Sequence, residues 1–156
     1  MASFGSELIP DFRLPAAGGG SLGPWDFKQR RQLVVLFHHG LGCQECRSLL
    51  AEVAACHADF QAQEAQVLAV SPDPPEELAR ELATVPFPLL SDRGARVLGA
   101  YVPGDGSRLP VAFVADRYGA LTEVFPPANH RVDLEAVLKE LEFNLYKCPE
   151  CHVEDV

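Results

Sequence analysis

Two cysteines separated by two residues, Cys43-Gln44-Glu45-Cys46, are the residues in this chain best suited to chemistry. At that spacing on a helix the sulfurs stand one turn apart. They can close a small disulfide in which one sulfur attacks and the other resolves. The other readings are half a zinc site or two packed thiols. A zinc ribbon sets a second cysteine pair about 15–20 residues later, and no pair lies there. A redox pair is therefore the favoured reading.

The elements around the pair sharpen it. Leu33-Val34-Val35-Leu36-Phe37 is an unbroken apolar run, short and rich in Val, which reads as a strand buried on both faces. A turn containing Gly40 and Gly42 follows. Leu49, Leu50, Val53, Cys56, His57 and Phe60 then recur at helical spacing as one apolar stripe. The pair thus falls where a strand ends and a helix begins. The first N–H groups of a helix lack partners and carry partial positive charge, so a thiolate is stabilised there.

Composition bounds the rest. The 156 residues suit one domain; 47% are hydrophobic and the net charge is −9. That charge argues against nucleic acid and anionic membrane surfaces as partners. No apolar segment approaches the ~18–20 residues that span a bilayer. Residues 1–10 show neither a basic nor an apolar signal region, so the expected location is the cytoplasm. There a Cys-x-x-Cys pair cycles rather than staples, and five cysteines do not suit a fully paired framework.

Along the chain, residues 1–32 hold no long periodic element. Ile9 to Leu14 is a short extended piece, Gly18-Gly19-Gly20 a loop, and Lys28, Arg30 and Arg31 a solvated turn. Trp25 and Phe27 are expected to cover an edge of the core. Val67 to Ser71 reads as a second buried strand, parallel to the first. Asp73 suits the cap of another helix, with Pro74 first inside it, Glu76 three residues after the cap, and Leu78 and Leu82 facing inward. Phe87 to Asp92 is extended. Ala95, Val97, Leu98 and Tyr101 mark a short helix, and Gly104 to Ser107 a mobile loop. Val111–Ala115 and Ala120–Phe125 flank the turn Asp116-Arg117-Tyr118-Gly119 as a hairpin. Asp133 caps a last helix with the stripe Leu134, Val137, Leu138, Leu141 and Leu145. The order is β-α-β-α-α-β-β-α, a redox domain over residues 1–146 with a tail over 147–156.

This arrangement resembles the α/β thioredoxin-like fold, a central mixed sheet with helices on both faces, in the expanded form of the redoxin and peroxiredoxin (AhpC/TSA) proteins. The resemblance rests on Ile9-Pro10-Asp11-Phe12, the strand–Cys43-x-x-Cys46–helix unit, Phe87-Pro88-Leu89-Leu90-Ser91-Asp92, and Leu109 to Asp116. It implies that Pro110 is the cis-proline beside the dithiol, offering a backbone edge to substrate and keeping metal off the thiols. Two peroxidase supports are replaced. Where peroxiredoxins carry Pro-x-x-x-Thr-x-x-Cys, this chain has His39 and Cys43 before Cys46. Pro110 stands where an arginine assists peroxide, with Arg108 the nearest. The chain also departs from thioredoxin, with Gln44 and Glu45 between the cysteines and Phe37 in place of a buried acid. Glu45, His38 and His39 remain as proton carriers. Glu45 would hold a neighbouring thiol protonated and Arg47 would ionise it.

The resemblance implies a thiol-disulfide oxidoreductase or antioxidant redoxin. Its partners would be a thioredoxin-type reductant, a disulfide-bearing protein or a peroxide, with no cofactor, and a homodimer as the common assembly. By analogy with thioredoxin, Cys43 attacks and Cys46 resolves; in a peroxiredoxin mode the roles reverse. The alternatives are an atypical two-cysteine thiol peroxidase and, from another class, a zinc-binding or interaction module in which the two cysteine pairs hold zinc. Cys56 and His57 read as core residues, and His130 is assigned nothing. Cys148-Pro149-Glu150-Cys151 is a second redox pair, a metal pair with His152 or a second chain, or a plain tail. The literal Cys-x-x-Cys-His string also matches c-type haem attachment, the weakest reading.

Overall fold

A computed structural model describes residues 7–102 and 109–146. Its centre is a five-stranded sheet of β3 (Gln32–Phe37), β4 (Ala65–Ser71), β5 (Leu89–Ser91), β6 (Val111–Ala115) and β7 (Leu121–Phe125), in the order β5-β4-β3-β6-β7. β3, β4 and β5 run parallel, while β6 and β7 are antiparallel to their neighbours. The sheet is mixed, as expected, with Phe87–Asp92 supplying a third parallel strand. A two-residue hairpin of β1 (Leu14–Pro15) and β2 (Ser21–Leu22) precedes it.

Every residue of β3 is buried, as its apolar run predicts for a central strand covered on both sides. Alternation splits the sheet into two cores. Val34, Leu36, Val67, Ala69, Ala112 and Val114 meet Leu49, Leu50, Val53 and Phe60, together with Val137 and Leu141. These last six lie on α1 (Gln44–Ala55), α2 (His57–Ala62) and α5 (Leu134–Tyr146). On the opposite face Leu33, Val35, Phe37, Val70 and Phe113 pack against Ile9, Phe12 and α4 (Arg96–Tyr101). Phe37 forms an aromatic cluster with Phe113 and Tyr101.

Four local expectations change. The stripe from Leu49 to Phe60 spans two helices, because the backbone leaves helical geometry at Cys56 (φ −96°, ψ 12°); Cys56 and His57 are only half-buried. Asp73 does not cap α3 (Pro75–Leu78), whose cap is Pro74. Its carboxylate instead accepts from Leu41 N at 2.9 Å and Ser71 Oγ at 2.8 Å. Leu78 is fully buried but Leu82 is 39% exposed, because the chain tightens to a 3₁₀ turn over Ala79–Thr84 and a three-residue repeat turns Leu82 away from the core. Trp25 is also exposed, with Lys28 Nζ 4.6 Å from its ring centroid, while Phe27 does pack on the core.

The hairpin turn and last helix follow their sequence signals. Gly119 takes φ +88°, and Asp116 Oδ1 accepts from Tyr118 N and Ala120 N. Asp133 Oδ1 accepts from Ala136 N at the start of α5. The expected loop Gly104–Ser107, Arg108 and the Cys148–Cys151 pair lie outside the described residues.

Candidate active site

β3 delivers the chain to the site. Beyond Phe37, His38 is buried, His39 exposed, and Gly40 turns with φ +128°. Several contacts hold this turn. Cys43 N donates to Gly40 O at 3.1 Å, and Leu41 N donates to Asp73. A Cβ on Gly40 would lie 3.1 Å from the Asp73 carboxylate, so both the dihedral and the space call for glycine.

Cys43 is the N-cap of α1. Its sulfur accepts from Cys46 N at 3.4 Å, and its backbone oxygen takes the first helical bond from Arg47 N. The thiol is half-exposed and donates to Glu45 Oε1 at 3.6 Å. Cys46, one turn on, is fully buried. Its sulfur accepts from His39 N at 3.2 Å and lies 3.7 Å from His39 Nδ1. Burial pushes the Cys46 thiol up to about 11; the hydrogen bond with Cys43 adds to the rise, and the His39 N–H opposes it. Both cysteines are free thiols.

The proton-carrier candidates separate sharply. His39 sits against the Cys46 sulfur. Glu45 sits against Cys43 and is fully exposed; its own backbone N–H, then the Cys43 thiol, hold its carboxyl below the ordinary value. His38 points elsewhere. Burial drives its imidazole down to about 4, and its Nδ1 accepts from Gly40 N at 3.2 Å, so it is a neutral turn-holding group. Arg47 is not directed at the sulfurs: its guanidinium donates to Leu41 O and pairs with Glu81 at 3.6 Å. This pair borders a hollow of about 440 Å³ beside Gln44.

Leu109-Pro110 is a cis peptide, in keeping with the cis-proline that the resemblance implies. Phe37 pairs with Val111 across β3 and β6, which sets Pro110 level with His38, at the sheet end where the dithiol loop begins. Phe37 is buried among aromatic rings, so no acid stands beneath the dithiol at that position. Sequence reasoning missed the tie formed by Ser71, Asp73 and Ser91, whose Oγ donates to Asp73 O at 2.7 Å. The run from Ser71 to Asp73 looks like a helix start, and only the meeting of β4 and β5 redirects it.

Comparison with known proteins bears on the fold and the family. The AhpC/TSA family model matches residues 6–124. A Mycobacterium tuberculosis protein named as a peroxiredoxin, found in two strains, is 34% identical over 97 residues, 61% of each chain. This chain thus matches about three fifths of that relative's length. Among solved structures, Plasmodium vivax 2-Cys peroxiredoxin in its reduced form superposes with a TM-score of 0.79 at 15% identity, covering 88% of this chain and 79% of that one. Mycobacterium bovis AhpC gives 0.76 at 19%, covering 96% of both. Xanthomonas campestris peroxiredoxin Q gives 0.75 at 20%, covering 85% and 90%. At these identities the structural likeness speaks for the fold, and the family model, spanning most of the sequence, speaks for descent: the chain belongs to the AhpC/TSA family.

Proposed function

We propose that this AhpC/TSA protein is a dithiol redoxin in which Cys43 attacks the oxidant and Cys46 resolves. The observation that carries the reading is the asymmetry of the pair: Cys43 is half-exposed at a helix N-cap, whereas Cys46 is buried and held protonated. With a disulfide substrate, the Cys43 thiolate bonds to one sulfur and expels the other as a thiolate. Cys46 then loses its proton to His39 Nδ1, attacks Cys43 Sγ and releases the second substrate thiolate. With a hydroperoxide, Cys43 takes the terminal oxygen as a sulfenic acid and an alcohol leaves; attack by Cys46 then expels water. Either way two electrons leave the dithiol, and a thioredoxin-type reductant restores them. Pro110 would offer its backbone to the substrate, and the hollow beside Gln44 gives a disulfide-bearing protein room to approach.

The second reading is a thiol peroxidase with Cys46 as the reacting sulfur. The His39 N–H aimed at that sulfur favours it, as does family membership. The test is thiol loss in reduced, metal-free protein given hydrogen peroxide or an oxidised dithiol protein, with Cys43→Ser and Cys46→Ser run beside it. The first reading expects both oxidants to consume two thiols at this pair and Cys43→Ser to abolish both reactions. Rapid peroxide loss that survives Cys43→Ser and vanishes in Cys46→Ser overturns it in favour of the second.

The domain reading places residues 1–146 in the redoxin unit and 147–156 in a tail whose Cys148 and Cys151 form a further redox or metal pair. No helix among the described residues is long and apolar enough to cross a membrane. A cycling Cys-x-x-Cys pair favours the cytoplasm, and a homodimer would follow the family habit.

A further inference from the structure

We propose that a hollow beside His38 is a binding site for a small uncharged molecule, apolar in body, with one oxygen that accepts a hydrogen bond. The hollow measures about 240 Å³, and its apolar wall is Phe37, Val70, Ala95, Leu98 and Leu109. It lies where β3 and β4 end, on the sheet face that α4 covers. The sulfurs belong to α1, which packs on the other face, and neither sulfur lines the hollow. Sites for drug-sized ligands run from about 300 to 1,000 Å³, so this one takes something smaller. At about 30 Å³ for each water of the liquid, it has room for about eight non-hydrogen atoms. The wall includes exposed His39 and half-buried Leu98, so a ligand can enter from that side.

His38 supplies the polar contact. It is 1% exposed. Its Nδ1 accepts from Gly40 N, so that nitrogen carries no proton and the neutral ring holds its proton on Nε2. Nε2 is buried, and no described residue accepts its N–H. A buried donor without a partner is costly, and an acceptor oxygen in the hollow removes that cost. The other polar groups on the wall are engaged. Ser71 Oγ donates to Asp73, the Asp92 carboxylate accepts from Val97 N and Leu98 N, and His39 Nδ1 lies against the Cys46 sulfur. One donor remains, which calls for one acceptor. No lysine or arginine lines the hollow, and burial drives the His38 imidazole down to about 4. An anion would therefore lose its hydration and meet no positive charge. The site stands whichever sulfur attacks.

The test is a titration of the reduced full chain with cyclohexanone at pH 7, followed by heteronuclear NMR, with cyclohexanecarboxylate run beside it. The ketone has one uncharged acceptor; the carboxylate carries a charge on the same ring. The expected result is a saturable shift of the His38 Nε2–H and of the Leu98 and Leu109 backbone amides, with the carboxylate at least about tenfold weaker. His38→Asn, which keeps an acceptor for Gly40 N but loses the imidazole N–H, should weaken the ketone by about tenfold. Leu98→Trp, which fills the hollow, should abolish its binding. The site is overturned if the wild-type chain shows no saturable shift with the ketone, if it binds the carboxylate equally well, or if either variant binds the ketone unchanged.

Discussion

At the scale of single residues, two neighbouring histidines have opposite fates. His39 is exposed and beside a sulfur; His38 is buried and neutral, with its Nδ1 spent on Gly40. Protonating His38 in the folded state is costly, so its contribution to stability is present above about pH 6.5 and is lost as pH falls toward its depressed value of about 4. Between those limits the unfolded chain binds the proton and the native chain does not. Unfolding by urea at pH 7 and pH 4.5 should show a His38-dependent loss of about 2–3 kcal/mol. His38→Asn, which keeps an acceptor for Gly40 N, should flatten that slope; an unchanged slope would mean the imidazole already carries a proton inside. The sequence displays both histidines but not their difference, because burial beside a turn is a property of where β3 stops.

At the scale of elements, the dithiol depends on a turn between β3 and α1 that is braced from β4. Asp73 holds Leu41 N and Ser71 Oγ, and the φ of +128° at Gly40 excludes side chains. Gly40→Ala should cost about 1–3 kcal/mol and slow alkylation at Cys43, read by thermal melting and iodoacetamide kinetics together. A stable, fully reactive variant would mean the turn is not what places the sulfur. The strand–Cys-x-x-Cys–helix unit was legible because apolar runs and helical spacing are local signals. The brace was not legible, since Asp73 beside two prolines has the local signature of a cap and only tertiary contact overrides it. The break at Cys56 was hidden for the same reason: Leu49, Leu50, Val53 and Phe60 fall on one face whether or not the helix bends.

Across the whole molecule, the fold was legible from element order and from the motifs shared with the redoxins, and the AhpC/TSA match and the mixed sheet agree. The polar clasp that ties distant parts together was not. Buried Gln32, at the start of β3, donates through Nε2 to Gln63 O at 2.8 Å and Leu141 O at 2.9 Å, joining the sheet to the end of α2 and the middle of α5. A glutamine before an apolar run reads locally as the strand's solvent end. Gln32→Leu should lower unfolding free energy by about 1–3 kcal/mol without changing thiol kinetics; an unchanged midpoint would show those carbonyls find water instead.

The account rests above all on Cys43 being the sulfur that meets the oxidant. Burial holds Cys46 near 11, which leaves about one molecule in ten thousand with that thiolate at pH 7. Brief alkylation of the reduced wild-type chain with limiting iodoacetamide at pH 7, followed by peptide mass mapping, compares the two sulfurs directly. The account predicts label on Cys43 at least about tenfold ahead of Cys46, and Cys46 labelled ahead of Cys43 would contradict it.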